Sequence, residues 1–324
     1  MSFSAFETMY PVAEGRSRER KNKMSKLKTF ISLLKTPYKM IEPLGSMGLL
    51  NWMPDSTYVK LVFRAEMGYR PDLDNPRTFN EKLQWLKVFD HRPEYTDLVD
   101  KLRAKEVIGS KIGFQYIVPI YGAWERAEDI PFDELPEKYV LKCNHDQGSV
   151  IIVSEKRTID KEETIRILNK KLKRNIYYGT REYPYKNVKP KVFAEKYLGE
   201  IMTDYKFYCF NGKPLFLYCS KGMLRAHVGA VDFYDLSWNP MPFYRTDYER
   251  LGQIPKPEHL DEMIEISKIL SKDVPFVRID LFEVSNQVYF SEFTLCPASG
   301  YMPFVPKEYD AIVGEWLDIP RRQM

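Results

Sequence analysis

The chain has 324 residues, 44% of them hydrophobic and 14% aromatic, with 49 Lys and Arg against 45 Asp and Glu and a net charge of +4. That composition can bury a substantial core, excludes disorder for most of the chain, and at this length allows one large or two to three small domains. The basic excess is local: Arg16, Arg18, Arg20, Lys21, Lys23, Lys26, Lys28, Lys35 and Lys39 against Glu19 give residues 16–39 a charge of +8, while residues 40–324 sum to −2, which argues against general nucleic-acid binding.

Residues 1–25 are polar and charge-rich and are expected to be disordered at the start, with Met24 as an alternative initiator. From there Leu27, Phe30, Ile31, Leu34 and Tyr38 fall at helical spacing with lysines off that stripe, and Pro37 ends or bends the helix. Such a basic amphipathic segment suits an anionic membrane surface, or a helix packed on the domain with solvated lysines. No run reaches the roughly 18–20 apolar residues of a spanning helix, since Met40 to Met53 contains Glu42 and Pro43. No signal-peptide pattern opens the chain. Cys143, Cys209, Cys219 and Cys296 are isolated, as expected of reduced, packed thiols. The expected location is cytoplasmic, with peripheral contact at the inner membrane face through residues 16–39.

Residues 40–110 read as mainly helical. Thr78 and Glu81 have capping-box spacing ahead of a helix whose buried stripe is Phe79, Leu83 and Leu86, and a charged helix runs from Asp100 toward Gly113. Beyond it the pattern alternates. Strands are expected around Ile117–Tyr121, Tyr139–Lys142 and Val150–Val153, then a helix over Lys161–Arg174, then strands near Val192–Leu198, Tyr205–Phe210 and Leu215–Ser220. Asn211-Gly212 marks a hairpin between the last two. A helix near Leu260–Leu270 precedes strands near Phe276–Phe282 and Gln287–Phe293. No internal repeat is visible.

Two stretches carry chemistry. In the first, a strand delivers Lys142, and a polar loop runs through His145, Gln147, Gly148 and Ser149 to the next strand. A lysine point charge beside a loop rich in free N–H groups can clamp phosphates; equally, a lysine at a strand end before a turn is commonplace. In the second, alternation places Arg278 and Asp280 on one face of a strand, and Glu292 and Thr294 on one face of its neighbour. Two carboxylates facing the same way on paired strands are costly unless a cation sits between them, and magnesium suits such oxygen donors. The alternative is a solvated polar face with Arg278 paired to Glu292.

Taken in order, Asp100-Lys101 with Lys105, Lys142 and its loop, Phe193 to Leu198, Arg278-x-Asp280 and Glu292-x-Thr294 resemble the ATP-grasp superfamily of carboxylate–amine ligases. More closely, TFNEKLQW (78–85), VLKCNH (140–145), DYKFYCFNGKP (204–214) and EFTLCPASGY (292–301) resemble the TupA-like ATP-grasp family of bacterial surface-polysaccharide gene clusters, whose namesake is linked to teichuronopeptide synthesis. The resemblance covers roughly residues 55–310. It implies an α+β ATP-grasp fold, two α+β subdomains clamping ATP, preceded by a mainly helical amino-terminal region. The division expected is a basic tail at 1–39, helices at 40–110 and a catalytic region at 111–320, with a nucleotide clamp over about 111–198 and a metal and acceptor lobe over about 199–320.

The resemblance also implies roles. Lys105 and Lys142 would contact ATP phosphates, His145 to Ser149 would cover them, and Glu195 to Leu198 would bind adenine, the backbone from Lys196 through Tyr197 to Leu198 pairing with its edge. Asp204 would hold the ribose, with Lys206 toward phosphate. Asp280 and Glu292 would be magnesium carboxylates and Arg278 would stand near the transferred phosphate. Thr294 departs from the usual asparagine, which puts its place as a third ligand in doubt. His145 could shuttle a proton, although phosphate contact or turn packing suits it better. ATP and Mg2+ are therefore the implied cofactors, and a carboxylate and an amine the implied substrates.

Two other classes compete. Asp72-Leu73-Asp74 has the D-x-D form that holds a metal and a sugar nucleotide, as in a glycosyltransferase, and a non-catalytic adaptor could retain the fold. Phe233-Tyr234-Asp235 with Trp238, and Pro297 to Tyr301, could line a sugar acceptor site or simply be aromatic core. His91, His227 and His259 have no metal-ligand spacing.

Overall fold

The capping box forms as the spacing implies: Glu81 N donates to Thr78 Oγ1 at 3.2 Å, and Thr78 N donates to Glu81 Oε2 at 3.2 Å. It starts the Phe79–Phe89 helix, which buries Phe79 and Leu83. The computed structural model describes residues 40–146, 148–199, 203–225 and 228–320. The basic segment 16–39, Met24 and Gln147 lie outside them. The first part is helical, Ile41–Ser46, Asp55–Met67, Phe79–Phe89, Glu94–Val99 and Lys101–Ile112. Among the described residues no helix is long and apolar enough to cross a membrane.

Two antiparallel sheets follow. Strands β1 (Ile120–Trp124), β2 (Tyr139–Cys143), β3 (Ile151–Val153) and β4 (Val192–Lys196) form the smaller, in the order β1-β4-β2-β3. The Lys161–Leu172 helix covers it, burying Leu168 against Tyr139, Leu141 and Val192. Strands β5 (Asp204–Phe210), β6 (Lys213–Arg225), β7 (Val228–Asp235), β9 (Glu249–Arg250), β10 (Phe276–Val284) and β11 (Gln287–Thr294) form the larger, ordered β11-β10-β5-β6-β7-β9; only β7 and β9 run parallel. A short pair, β8 (Tyr244–Arg245) with β12 (Phe304–Val305), stands apart. Asn211 and Gly212 both take positive φ, 48° and 80°, the geometry that closes a two-residue hairpin with the right strand twist.

The larger sheet has two unlike faces. One carries Phe207, Leu217, Val277, Ile279 and Leu281 onto Leu260, Met263, Ile266 and Leu270 of the Leu260–Ser271 helix. The other is aromatic at one end, where Tyr208, Phe210, Phe216 and Phe276 meet Phe79, and polar at the other. The strand β7 is absent from the sequence reading: both its faces are covered, so Phe233 and Tyr234 are apolar in succession and the period of two is blurred. Both are core residues, so neither lines a sugar site. All four cysteines are free and buried.

The carboxy-terminal Tyr309–Glu315 helix closes onto the Phe79 segment, with Lys82 Nζ donating to Gly314 O at 2.8 Å. A Cβ on Gly314 would lie 2.3 Å from Arg77 O and 2.8 Å from Phe79 N, backbone atoms that cannot swing away. Gly314→Ala should therefore cost about 2–3 kcal/mol, read as a lower urea midpoint with an unchanged slope. An unshifted midpoint would mean that this helix can retreat freely.

Candidate active site

The polar end of the larger sheet is built by register. Asp280 on β10 stands opposite Lys206 on β5 and opposite Glu292 on β11, and Arg278 stands opposite Thr294. Lys206 is in turn opposite Tyr218, and Asp204 opposite Ser220. Cross-strand partners share a face, so these side chains converge. Arg278 donates from Nε to Asp280 Oδ1 and from Nη2 to Asp280 Oδ2, both at 2.7 Å, and from Nη2 to Thr294 Oγ1 at 3.0 Å. Lys206 Nζ donates to Asp280 Oδ2 at 2.7 Å and lies 3.6 Å from Asp204 Oδ2. Arg278 is thus paired to Asp280 and not, as one reading of the sequence allowed, to Glu292, which instead lies 3.7 Å from Lys101 Nζ. Burial alone would raise the Asp280 carboxyl, but Arg278 and Lys206 together hold it below its ordinary value.

The smaller sheet contributes a second cationic group. Lys105 Nζ meets Glu195 Oε2 at 2.9 Å, and Lys142 Nζ meets Glu195 Oε1. One carboxylate from β4 therefore serves two lysines, one from the Lys101–Ile112 helix and one from β2. Burial would raise the Glu195 carboxyl; the charges of Lys142 and Lys105 outweigh it and hold the group low. For Lys105 burial outweighs the attraction of Glu195, and Lys142 repels it further, so its ammonium sits below its ordinary value. The trio keeps one positive charge in surplus. That is a site prepared for an anion.

The loop after Lys142 is pinned at its near end. Asn144 Oδ1 accepts from Lys191 N at 2.7 Å, its Nδ2 donates to Lys189 O at 3.0 Å, and Ser149 Oγ donates to Asp146 while accepting from Cys143 N at 2.8 Å. Gly148, at φ 80°, has open space around it. His145 is turned inward, with Nε2 at 2.9 Å from Arg174 O and burial lowering its basicity.

The two cationic groups face one cleft of about 970 Å³ between the sheets. Lys105, Lys142, Gly148, Ser149, Glu195, Lys196, Tyr197, Leu198, Asp204, Lys206, Arg278, Glu292 and Thr294 all line it. Asp280 lies beneath the wall, fully buried, and acts on the cleft through Arg278 and Lys206. His145 is not brought to it. The Lys196 N–H is donated to Pro119 O at 2.9 Å, and the Glu195 side chain is given to the lysines. Val140, Ile152 and Phe193 form an apolar wall at that end.

Sequence reasoning missed the opposite end. The β8–β12 pair places Arg245 at the cleft, Asp247 and Tyr248 follow it in the chain, and Ser299 and Tyr301 line the same cleft. Arg245 Nε donates to Asp247 Oδ1 at 2.7 Å and its guanidinium lies 4.8 Å from the Tyr248 ring. No local pattern marks a two-residue strand; only the Tyr301 end was within a motif. Ala298 and Ser299 both hold positive φ, near 50°, kept there by Gln84 and Lys87 donating to Ser299 O at 2.9 and 2.8 Å and by Ser299 Oγ donating to buried Glu182 at 2.7 Å. Such strain collects at functional turns. Asp72 accepts from Asp74 N and Asn75 N, each at 3.0 Å; the D-x-D carboxylate closes its own turn and does not line the cleft.

Among the described residues no three His, Cys, Asp or Glu side chains converge as a metal cage. The donor chemistry at Asp280 and Glu292 still fits magnesium, which takes one or two carboxylates and completes its shell with water and phosphate. Glu292 is open to the cleft for this, whereas Asp280 would be shared with Arg278 and Lys206.

A family model described as TupA-like ATPgrasp matches residues 81–318. Among solved structures the chain is similar to a D-alanine–D-alanine ligase from Bacillus anthracis complexed with ATP, at 19% identity and a TM-score of 0.38, over 67% of this chain and 60% of that one. It is also similar to a D-alanine–D-alanine ligase from Helicobacter pylori, at 14% and 0.37 over 68% and 61%, and to a phosphoribosylamine–glycine ligase from Thermotoga maritima, at 16% and 0.36 over 64% and 51%. The chain thus spans less than two thirds of those enzymes' length. No curated protein matches it by sequence.

Proposed function

The chain belongs to the TupA-like ATP-grasp family, and we propose that it is an ADP-forming ligase that joins an amine, such as an amino acid, to the carboxylate of a uronic-acid-containing surface polysaccharide or its precursor. The observation that carries this reading is the pair of facing cationic groups, Lys105 and Lys142 on Glu195 and Lys206 and Arg278 on Asp280, across one cleft.

A carboxylate is a poor acyl donor because oxide would have to leave. Transfer of the γ-phosphoryl group of ATP to a carboxylate oxygen makes an acyl phosphate and ADP. The amine lone pair then attacks the carbonyl carbon, the phosphate departs with the C–O electrons and takes up the surplus amine proton, and an amide remains. The residues contribute position and charge. Lys105 and Lys142 would exchange Glu195 for phosphate oxygens; the apolar wall of Val140, Ile152 and Phe193 would take adenine, with Tyr197 and Leu198 at its edge and Asp204 at the ribose. Arg278 would hold the acyl phosphate oxygen, its fork aimed by Asp280. Magnesium, held by Glu292 and Asp280 with Thr294 at the margin, would neutralise phosphate charge when bound. The loop over Gly148 and Ser149 would exclude water from the acyl phosphate. At the far end, the faces of Tyr248 and Tyr301 with Arg245 suit an acidic pyranose.

Incubation with ATP, magnesium, uronic-acid glycans and an amino-acid pool, followed by mass spectrometry, tests this. The expected products are ADP, phosphate and a glycan heavier by one amino acid less water. AMP with diphosphate, or consumption of a UDP-sugar without ATP, would replace this reading with another.

A further inference from the structure

Between the Ile41–Ser46 and Asp55–Met67 helices the chain turns through residues 47–53 and holds Met47, Leu49 and Trp52 outward, 73%, 57% and 76% exposed. Large apolar side chains left in water this openly, three within six residues of one turn, are an arrangement that solvent alone does not favour. The turn is not a loose one. Its backbone closes on itself through Gly48 N to Gly45 O at 2.7 Å and Leu49 N to Leu44 O at 3.0 Å. Arg181, buried, donates from Nη2 to Leu50 O at 2.7 Å and lies 3.4 Å from Asp55 Oδ1. The preceding helix is seated equally closely: a Cβ on Gly45 would lie 2.2 Å from Tyr58 OH, which donates to Gly179 O at 2.8 Å. Pinned from within, the turn presents its three apolar tips as a fixed ledge.

Residues 16–39, which precede this ledge in the chain by the Ile41–Ser46 helix, carry a charge of +8. A partner that answers both features is anionic at its surface and apolar beneath, which describes a bilayer of anionic lipid; tryptophan beside methionine and leucine suits the headgroup boundary. The carboxylates nearby in sequence do not oppose this, since Glu42 and Glu66 line the cleft and Asp55 is held by Arg181 and Tyr177. We propose that Met47, Leu49 and Trp52 insert into the headgroup boundary of an anionic membrane, with the basic residues of 16–39 drawing the protein to it. Because Glu42 lines the cleft, a membrane on this ledge lies beside the cleft mouth, where an acceptor carried on lipid would enter. Only that last consequence rests on the ligase reading.

Co-sedimentation of the full chain with phosphatidylcholine vesicles, with and without equimolar phosphatidylglycerol, tests the docking in the absence of ATP and glycan, so that missing ligase activity does not bear on it. Binding is expected only with the anionic lipid. The combined Met47→Ser, Leu49→Ser and Trp52→Ser variant should partition at least about tenfold more weakly, with an unchanged unfolding midpoint and unchanged Mg-ATP binding. Brominated acyl chains should quench the full chain and quench Trp52→Phe less. Replacing Arg16, Arg18, Arg20, Lys21 and Lys23 by Gln should weaken binding while preserving that quenching in the bound fraction. Equal partitioning of the Ser variant and the parent overturns the proposal, as does a parent that ignores both vesicles and forms a dimer the Ser variant cannot form.

Discussion

An Asp280→Asn variant is expected to lose about 3–5 kcal/mol of stability at neutral pH and to turn over Mg-ATP at least about a hundredfold more slowly. Asp280 is fully buried and receives three hydrogen bonds from two cations. Removing its charge leaves Lys206 with Asp204, 3.6 Å away, and the Tyr218 ring, and leaves Arg278 with Thr294 and Tyr218. Neither substitute neutralises a buried guanidinium. The fork of Arg278 would also lose the partner that aims it. A double variant, Arg278→Met with Asp280→Asn, separates the two effects: it should unfold at higher urea than Asp280→Asn alone, because an uncompensated buried cation has been removed, yet remain inactive. Should the single and double variants unfold together at the parent's midpoint, Asp280 is not the group that keeps these charges in place.

Glu195→Gln should show the second large effect, a loss of about 3 kcal/mol near pH 7 that depends on pH in a defined sense. The folded carboxyl is held below its ordinary value by Lys142 and Lys105 against the opposing effect of burial. Its contribution is therefore present above the unfolded carboxylate value, about 4.3, and disappears as pH falls through the folded one. The gap between parent and variant, followed by urea unfolding, should accordingly close as the solution is acidified below that range. On the alkaline side it should narrow as well, because Lys105, already depressed by burial, can shed its proton and relieve the repulsion from Lys142. A gap independent of pH would show that Glu195 contributes packing rather than charge. Nucleotide binding gives a further check: if phosphate replaces Glu195 as partner of the two lysines, saturating ATP should restore more stability to the variant than it adds to the parent.

Much of the architecture was legible because it depends on near neighbours in the chain. The Thr78 cap, the Asn211-Gly212 hairpin and the shared face of Arg278 and Asp280 follow from local backbone chemistry and a period of two. Strand β7 was not legible, since a strand covered on both faces loses its alternation. Nor were Arg245, Asp247 and Tyr248, which a two-residue strand delivers by pairing with residues some sixty positions later. The turn at Ser299 was visible as a motif, while its support by Glu182, 117 residues away in the chain, was not.

By itself, then, the sequence determined which residues bear charge, that Arg278 shares a strand face with Asp280 and Glu292 with Thr294, and the family to which the chain belongs. Only the tertiary structure decided which charges meet. Strand order places β10 between β5 and β11, so Lys206 reaches Asp280 across 74 positions, and β4 beside β2, so Glu195 meets Lys142 there and Lys105 from the Lys101–Ile112 helix. The reason is physical: side-chain direction follows from backbone period within a few residues, whereas the partner of a buried charge is whatever the neighbouring strand presents at that register, and its neutralisation is what makes the burial tolerable.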